Sequence, residues 1–221
     1  MTRVSKLAMC TTLTLILVLS LALPAFATST EKAVAADTAH KLLIDGNKRF
    51  VQEHYAGNER GKGRRGELTK GQHPFAVIVT CSDSRVPPEL VFDQGLGDIF
   101  VVRVAGNVLD AIELGSVEYA VEHLNTKLVV VLGHEKCGAV KATVDGGDIP
   151  PNIKAIAAKI QPAVTAARAT KTSNVYEAAT DVNITNMVTA VKTDPVIAHI
   201  ADVKVIGAKY HLESGEVVFT N

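Results

Sequence analysis

Three short apolar runs constrain the fold of this chain more than any other feature: residues 75–80, 99–104 and 127–132. Each is nearly unbroken, rich in Val and Ile, and too short for an ordinary helix. That is the pattern of strands buried on both faces, and such strands belong to parallel sheets covered by helices. Between the second and third runs, Leu114, Val117, Val121 and Leu124 recur every three or four residues, with Glu113, Glu118 and Glu122 beside them. This spacing predicts an amphipathic crossover helix. Upstream, Leu42, Leu43, Phe50 and Val51 predict an N-terminal helix over residues 40–55. Downstream, the Ala- and Lys-rich stretch 153–191 fits two or three helices, interrupted at Pro162 and at the polar residues 171–174. Residues 203–210 and 216–219 are strand-like, with Glu213-Ser214-Gly215 as a turn between them. The expected fold is α/β, a mainly parallel central β-sheet flanked by helices in one domain.

The N-terminus sets an expected compartment. Arg3 and Lys6 precede an apolar run over residues 13–23, and Ala25-Phe26-Ala27 supplies small residues at cleavage spacing. Residues 1–27 read as a cleavable signal peptide, cut after Ala27, which implies a periplasmic or secreted protein. The apolar run stops at Pro24 and is too short to span a bilayer, so no stable membrane anchor is expected after cleavage. A polar, alanine-rich leader over residues 28–39 would then precede a single domain over residues 40–221. The whole chain of 221 residues carries a formal net charge of zero. Removing Arg3 and Lys6 makes the remainder slightly acidic, which excludes an electrostatic nucleic-acid binder. The one basic cluster, Arg60, Lys62, Arg64 and Arg65, is interleaved with glycines and reads as a solvated loop.

Loss of Cys10 with the signal leaves only Cys81 and Cys137, in a compartment that favours disulfides. The pair either closes one long loop or provides two thiolate ligands to a metal. Their neighbours bear on the choice. The first strand runs into Cys81-Ser82-Asp83-Ser84-Arg85, and the third into Gly133-His134-Glu135-Lys136-Cys137-Gly138. Ligands of open α/β sheets bind outside the carboxyl ends of strands, so the two loops can face one another. Two thiolates and an imidazole select zinc over hard cations, and three protein ligands leave a fourth position open, as in catalytic sites. A disulfide explains the cysteines but gives no reason for His134, Asp83 or Arg85.

Cys-Ser-Asp-Ser-Arg at 81–85, Phe-Val-Val-Arg-Val-Ala-Gly-Asn at 100–107 and Gly-His-x-x-Cys-Gly at 133–138 resemble the motifs of β-class carbonic anhydrases. The resemblance extends to Gly207-Ala208-x-Tyr210 and Gly215-x-Val217, and so covers residues 40–221. It implies one Zn2+ per subunit on Cys81, His134 and Cys137, and reversible hydration of CO2 to bicarbonate and a proton. The attacking group would be a zinc-bound hydroxide oriented by Asp83, which Arg85 holds ionised, with Asp83 as a possible fourth ligand in a closed form. It further implies substrate contacts from Gln72, Phe100, Tyr119 and the Gly138 N–H, and a pocket built across a homodimer or a dimer-based higher oligomer. Members with an inhibitory bicarbonate pocket carry Trp and Gly where this chain has Ile78 and Thr80, so the open form is expected here. A zinc hydrolase of carbon disulfide or carbonyl sulfide, and a noncatalytic exported disulfide or zinc module, are the alternatives.

Overall fold

A computed structural model describes residues 33–57 and 60–220 of the chain. The expected signal peptide and cleavage site lie outside the described residues. Among the described residues, no helix is long and apolar enough to cross a membrane.

The strands are β1 (Ala76–Thr80), β2 (Ile99–Arg103), β3 (Leu128–His134), β4 (Lys204–Tyr210) and β5 (Val217–Thr220). They form one sheet in the order β2-β1-β3-β4-β5, parallel except for the antiparallel β4–β5 hairpin at one edge. The three apolar runs are therefore neighbouring strands, with β1 between β2 and β3. Every residue of β1 and β3 is buried, because both faces of the sheet are covered.

Side chains alternate between the faces. Val77, Val79, Val129, Val131 and Val205 meet a layer built from α4 (Ala111–Glu122), α5 (Gly138–Asp145), α6 (Pro151–Ala169) and α7 (Val175–Lys192). Ile78, Leu128, Val130, Leu132 and Ile206 meet α1 (Ala36–Val51) and α3 (Pro88–Val91), with α2 (Lys62–Leu68) the remaining helix. Polypeptide leaving β1 crosses on the α3 face to β2, and chain leaving β2 crosses on the α4 face to β3. Chain leaving β3 runs on the α5–α7 face to β4, so the connections leave the adjacent strands β1 and β3 in opposite directions, which makes their carboxyl ends a topological switch point.

Helix α1 begins at Ala36, ahead of the expected residue 40, because Ala39 is small enough to be fully buried and Asp37 favours the first turn. It ends at Val51, and Glu53 with φ 57° turns the chain away, so residues 52–55 are not helical. Pro162 does not interrupt the helical stretch, in contrast to the expectation. Helix α6 runs through it, since the ring lies on the exposed side where a missing hydrogen bond is tolerated. The break falls at the polar residues after Ala169, as expected. The basic segment is also not a loop beyond Arg60: α2 takes in Lys62, Arg64 and Arg65, and Arg64 docks the helix by donating to the Leu96 carbonyl (2.9 Å) and to Asp98 (3.2 Å).

Candidate metal centre

Strand β1 ends at Thr80, whose hydroxyl donates to the Leu132 carbonyl of β3 at 2.9 Å. The register pairs Thr80 with Leu132, so the next residues, Cys81 just past β1 and Gly133-His134 at the end of β3, lie side by side. Gly133 is required there, because a Cβ would come within 2.6 Å of Ile184 on α7. Lys136 takes φ 51°, and this tight turn brings Cys137 back beside His134 at the start of α5.

The result is a buried group. The Cys81 and Cys137 sulfurs and a His134 ring nitrogen lie within 4.8 Å of one another. Both cysteines are free thiols, so no disulfide occupies the pair. His134 Nδ1 lies 2.8 Å from the Glu135 carbonyl, which makes it the protonated nitrogen and leaves Nε2 with its lone pair free. Nε2 is buried without a hydrogen-bond partner. A buried orphan nitrogen facing two sulfurs is a soft donor set that fits a divalent metal of the zinc type.

The environment favours thiolate at Cys81. A hydrogen bond shared with Cys137 pulls its pKa well down, and His134 and the Gly106 N–H act in the same direction. Sharing that proton, together with burial, holds Cys137 up. The Gly106 N–H donates to Cys81 Sγ at 3.2 Å, from a backbone with φ 74° that suits glycine.

Asp83 sits at the rim, with Oδ2 3.8 Å from His134 Nε2. Arg85 grips both carboxylate oxygens: its backbone N–H and Nε donate to Oδ1 (2.9 Å each), and Nη2 donates to Oδ2 (2.7 Å). This hydrogen bonding holds the Asp83 carboxyl far below the usual carboxylate range, so it is ionised. Gly138 is exposed at the first position of α5, and a Cβ there would meet nothing within 4 Å. Its N–H belongs to the unpaired first turn beside Cys137.

The remaining expected site residues lie elsewhere in the chain. Phe100 pairs with Val77, four residues before Cys81, which at ~3.3 Å per residue puts it about 13 Å down the strand. Tyr119 packs against Phe100 with ring centroids 6.4 Å apart, and Gln72 is exposed ahead of the amino end of β1. These three belong to the opposite end of β1 from the Cys-His-Cys group.

Sequence reasoning assigned no role to Arg103, which closes β2. Its Nε donates to the Cys81 carbonyl (3.0 Å) and Nη2 to the Asp83 carbonyl (2.8 Å), fixing the loop that carries both side chains. The one signal available was a charged residue ending an otherwise apolar strand. Asn183 of α7 was likewise unmarked; it donates to the Gly106 carbonyl at 2.9 Å and steadies the residue whose N–H contacts Cys81.

A parallel sheet with a buried Cys-His-Cys group at its switch point and an ionised carboxylate at the rim is the framework of an α/β metalloenzyme. The comparisons are specific about which one. The profile of the family described as Carbonic anhydrase matches residues 76–217. The carbonic anhydrase of Mycolicibacterium smegmatis is 43% identical over 186 residues, spanning 81% of this chain and 90% of its own. The solved β-carbonic anhydrase CcaA superposes with a TM-score of 0.65 at 27% identity, over 82% of this chain and 95% of its own. A structure from a study of two tetrameric β-carbonic anhydrases of Sordaria macrospora shares the fold, with a TM-score of 0.67 at 22% identity over 84% and 98% of the two chains. This chain belongs to the β-class carbonic anhydrase family.

Proposed function

We propose that the protein hydrates CO2 reversibly to bicarbonate and a proton, with one zinc ion per subunit held by Cys81, His134 and Cys137. The observation that carries this reading is the buried Cys-His-Cys group with the orphan His134 Nε2, bordered by a carboxylate already held ionised by Arg85. Zinc in such a site supplies Lewis acidity that brings the pKa of a coordinated water to about 7. Asp83, acceptor-only when ionised, takes a hydrogen bond from the attacking water and aims a lone pair at CO2. Arg85 holds both carboxylate oxygens in its own hydrogen bonds, which supports the open arrangement. The Gly138 N–H, unobstructed by a side chain, donates to the oxygen that gains negative charge.

Gln72, Phe100 and Tyr119 act as substrate contacts only if another subunit delivers them, so the functional unit is a homodimer or a dimer-based oligomer. Exposed Ile112 and Tyr119, seven residues apart on one side of α4, supply apolar surface for that contact. Export rests on the N-terminal sequence alone; N-terminal sequencing of the mature protein tests it, with residue 28 expected first.

The test of function is stopped-flow CO2 hydration by residues 28–221, zinc-loaded and metal-stripped. Fast turnover that requires zinc is expected. Asp83→Asn retains zinc and loses about 100-fold or more in rate, the range of a positioned proton acceptor, whereas Cys137→Ser loses the metal. Normal turnover in either variant defeats the mechanism. Inactivity of the folded, zinc-loaded parent on CO2 with turnover of carbonyl sulfide or carbon disulfide would reassign the substrate.

A further inference from the structure

Glu135 stands at a position that the Cys-His-Cys spacing leaves open to any residue, yet it is held from three directions. Its N–H donates to the Tyr210 carbonyl at 3.1 Å. One carboxylate oxygen lies 2.7 Å from His211 Nδ1, and the other accepts the Leu212 N–H at 3.1 Å. All three partners are consecutive residues at and just beyond the end of β4, and Glu135 and His211 are both only partly exposed. The residue fixed in this way carries the carbonyl that meets His134 Nδ1 at 2.8 Å. The same turn is held from the other side, where Arg85 Nη2 reaches the Lys136 carbonyl at 3.4 Å.

We infer that Glu135, clamped by His211 and the Leu212 N–H, is a positioning residue for the metal centre: it fixes the carbonyl that orients the His134 ring and the turn that sets Cys137. Outer partners of metal-bound imidazoles commonly influence metal affinity by 10–100-fold. Here the outer partner is a backbone carbonyl, which a substitution at residue 135 cannot remove directly, so the side chain acts by fixing where that carbonyl stands. The inference rests on the metal reading under Proposed function and deepens it, since it concerns how the chain builds that site.

The experiment compares the zinc-loaded parent with Glu135→Ala, Glu135→Gln and His211→Ala, by the rate at which each yields zinc to an excess of chelator. The absorption spectrum of each cobalt-substituted form reports ligand geometry, and the melting temperature of each metal-stripped form reports the fold. Thr126→Ala is the control, since it removes the buried hydrogen bond to the Pro74 carbonyl at the amino ends of β1 and β3, a strand's length from the Cys-His-Cys group. Expected is zinc release 10–100-fold faster in Glu135→Ala, with a shifted cobalt spectrum. Glu135→Gln, which keeps an acceptor for Leu212, falls between Glu135→Ala and the parent, and Thr126→Ala releases zinc at the parent's rate. Unchanged release and spectrum in Glu135→Ala would overturn the inference. So would equal acceleration in Thr126→Ala, because that ties zinc retention to overall stability rather than to this clamp. A parent that binds neither zinc nor cobalt would instead sink the metal reading, and the clamp with it.

Discussion

Substituting Gly106 by alanine tests how the backbone beside Cys81 is held. The residue has φ 74°, a conformation that costs a non-glycine residue about 1–2 kcal/mol. Its new Cβ would lie 2.7 Å from Ile160 Cδ1 and 3.1 Å from the Ala139 Cβ. Ile160 is fully buried on α6, so the methyl has little room to retreat, and overpacking of this kind costs about 1–3 kcal/mol. Together Gly106→Ala should destabilise the metal-stripped fold by about 2–5 kcal/mol in equilibrium urea unfolding. The two contributions separate in a double-mutant cycle. Ile160→Val alone should cost about 0.5–1.5 kcal/mol, but in the Gly106→Ala background it removes the clashing methyl and should cost less than nothing. A coupling of about 1 kcal/mol or more is therefore expected. Additivity within about 0.5 kcal/mol, the behaviour of independent sites, would refute the packing argument, and a cost for Gly106→Ala below about 1 kcal/mol would refute the backbone argument as well.

Asn47→Ala removes the donor to the Val91 and Gly215 carbonyls and the acceptor of the Val217 N–H, at 3.1, 2.9 and 2.9 Å. At about 1 kcal/mol for each buried bond, it should lower the unfolding free energy by about 2–4 kcal/mol; a loss under 1 kcal/mol in urea unfolding would contradict that accounting. Lys209 on β4 pairs with Asp181 (2.7 Å) and Glu177 (3.6 Å) of α7. Burial works to lower its pKa, but the hydrogen bond to Asp181 and the charge of both carboxylates outweigh it, and the net shift is upward from 10.5. A raised pKa stabilises the fold fully below the unfolded value and is lost as pH rises through the folded one. The stability difference between the parent and Lys209→Met should thus be constant through neutral pH and shrink above pH 10.5; a difference that grew with pH would reverse the assigned sign.

The strands were legible because burial on both faces leaves no alternation, only short β-branched runs, and β1 and β2 lie within a residue of their expected ends. Strand β3 runs two residues past its expected end and so takes in His134 itself. The Cys-His-Cys group was legible because Cys81 follows β1 and His134 closes β3 at a predictable end. Helix α6 was harder to read: a proline in sequence says that a hydrogen bond is missing, and only packing decides that the ring faces solvent and the helix continues. The basic segment misled for a similar reason, since nothing local reveals that Arg64 finds acceptors at Leu96 and Asp98, more than thirty residues away.

By itself, then, the sequence determined which Cys and His side chains come together and which end of the sheet they occupy, because motif spacing and strand burial are local properties of the chain. Only the tertiary structure decided what holds them in place. Arg103 across the Cys81 and Asp83 carbonyls, Gly106 against Cys81 Sγ, and Glu135 against His211 are all contacts between segments remote in sequence. It also decided that Phe100 and Tyr119 lie far from the Cys-His-Cys group of the same chain, since strand register, which no single segment encodes, sets that distance.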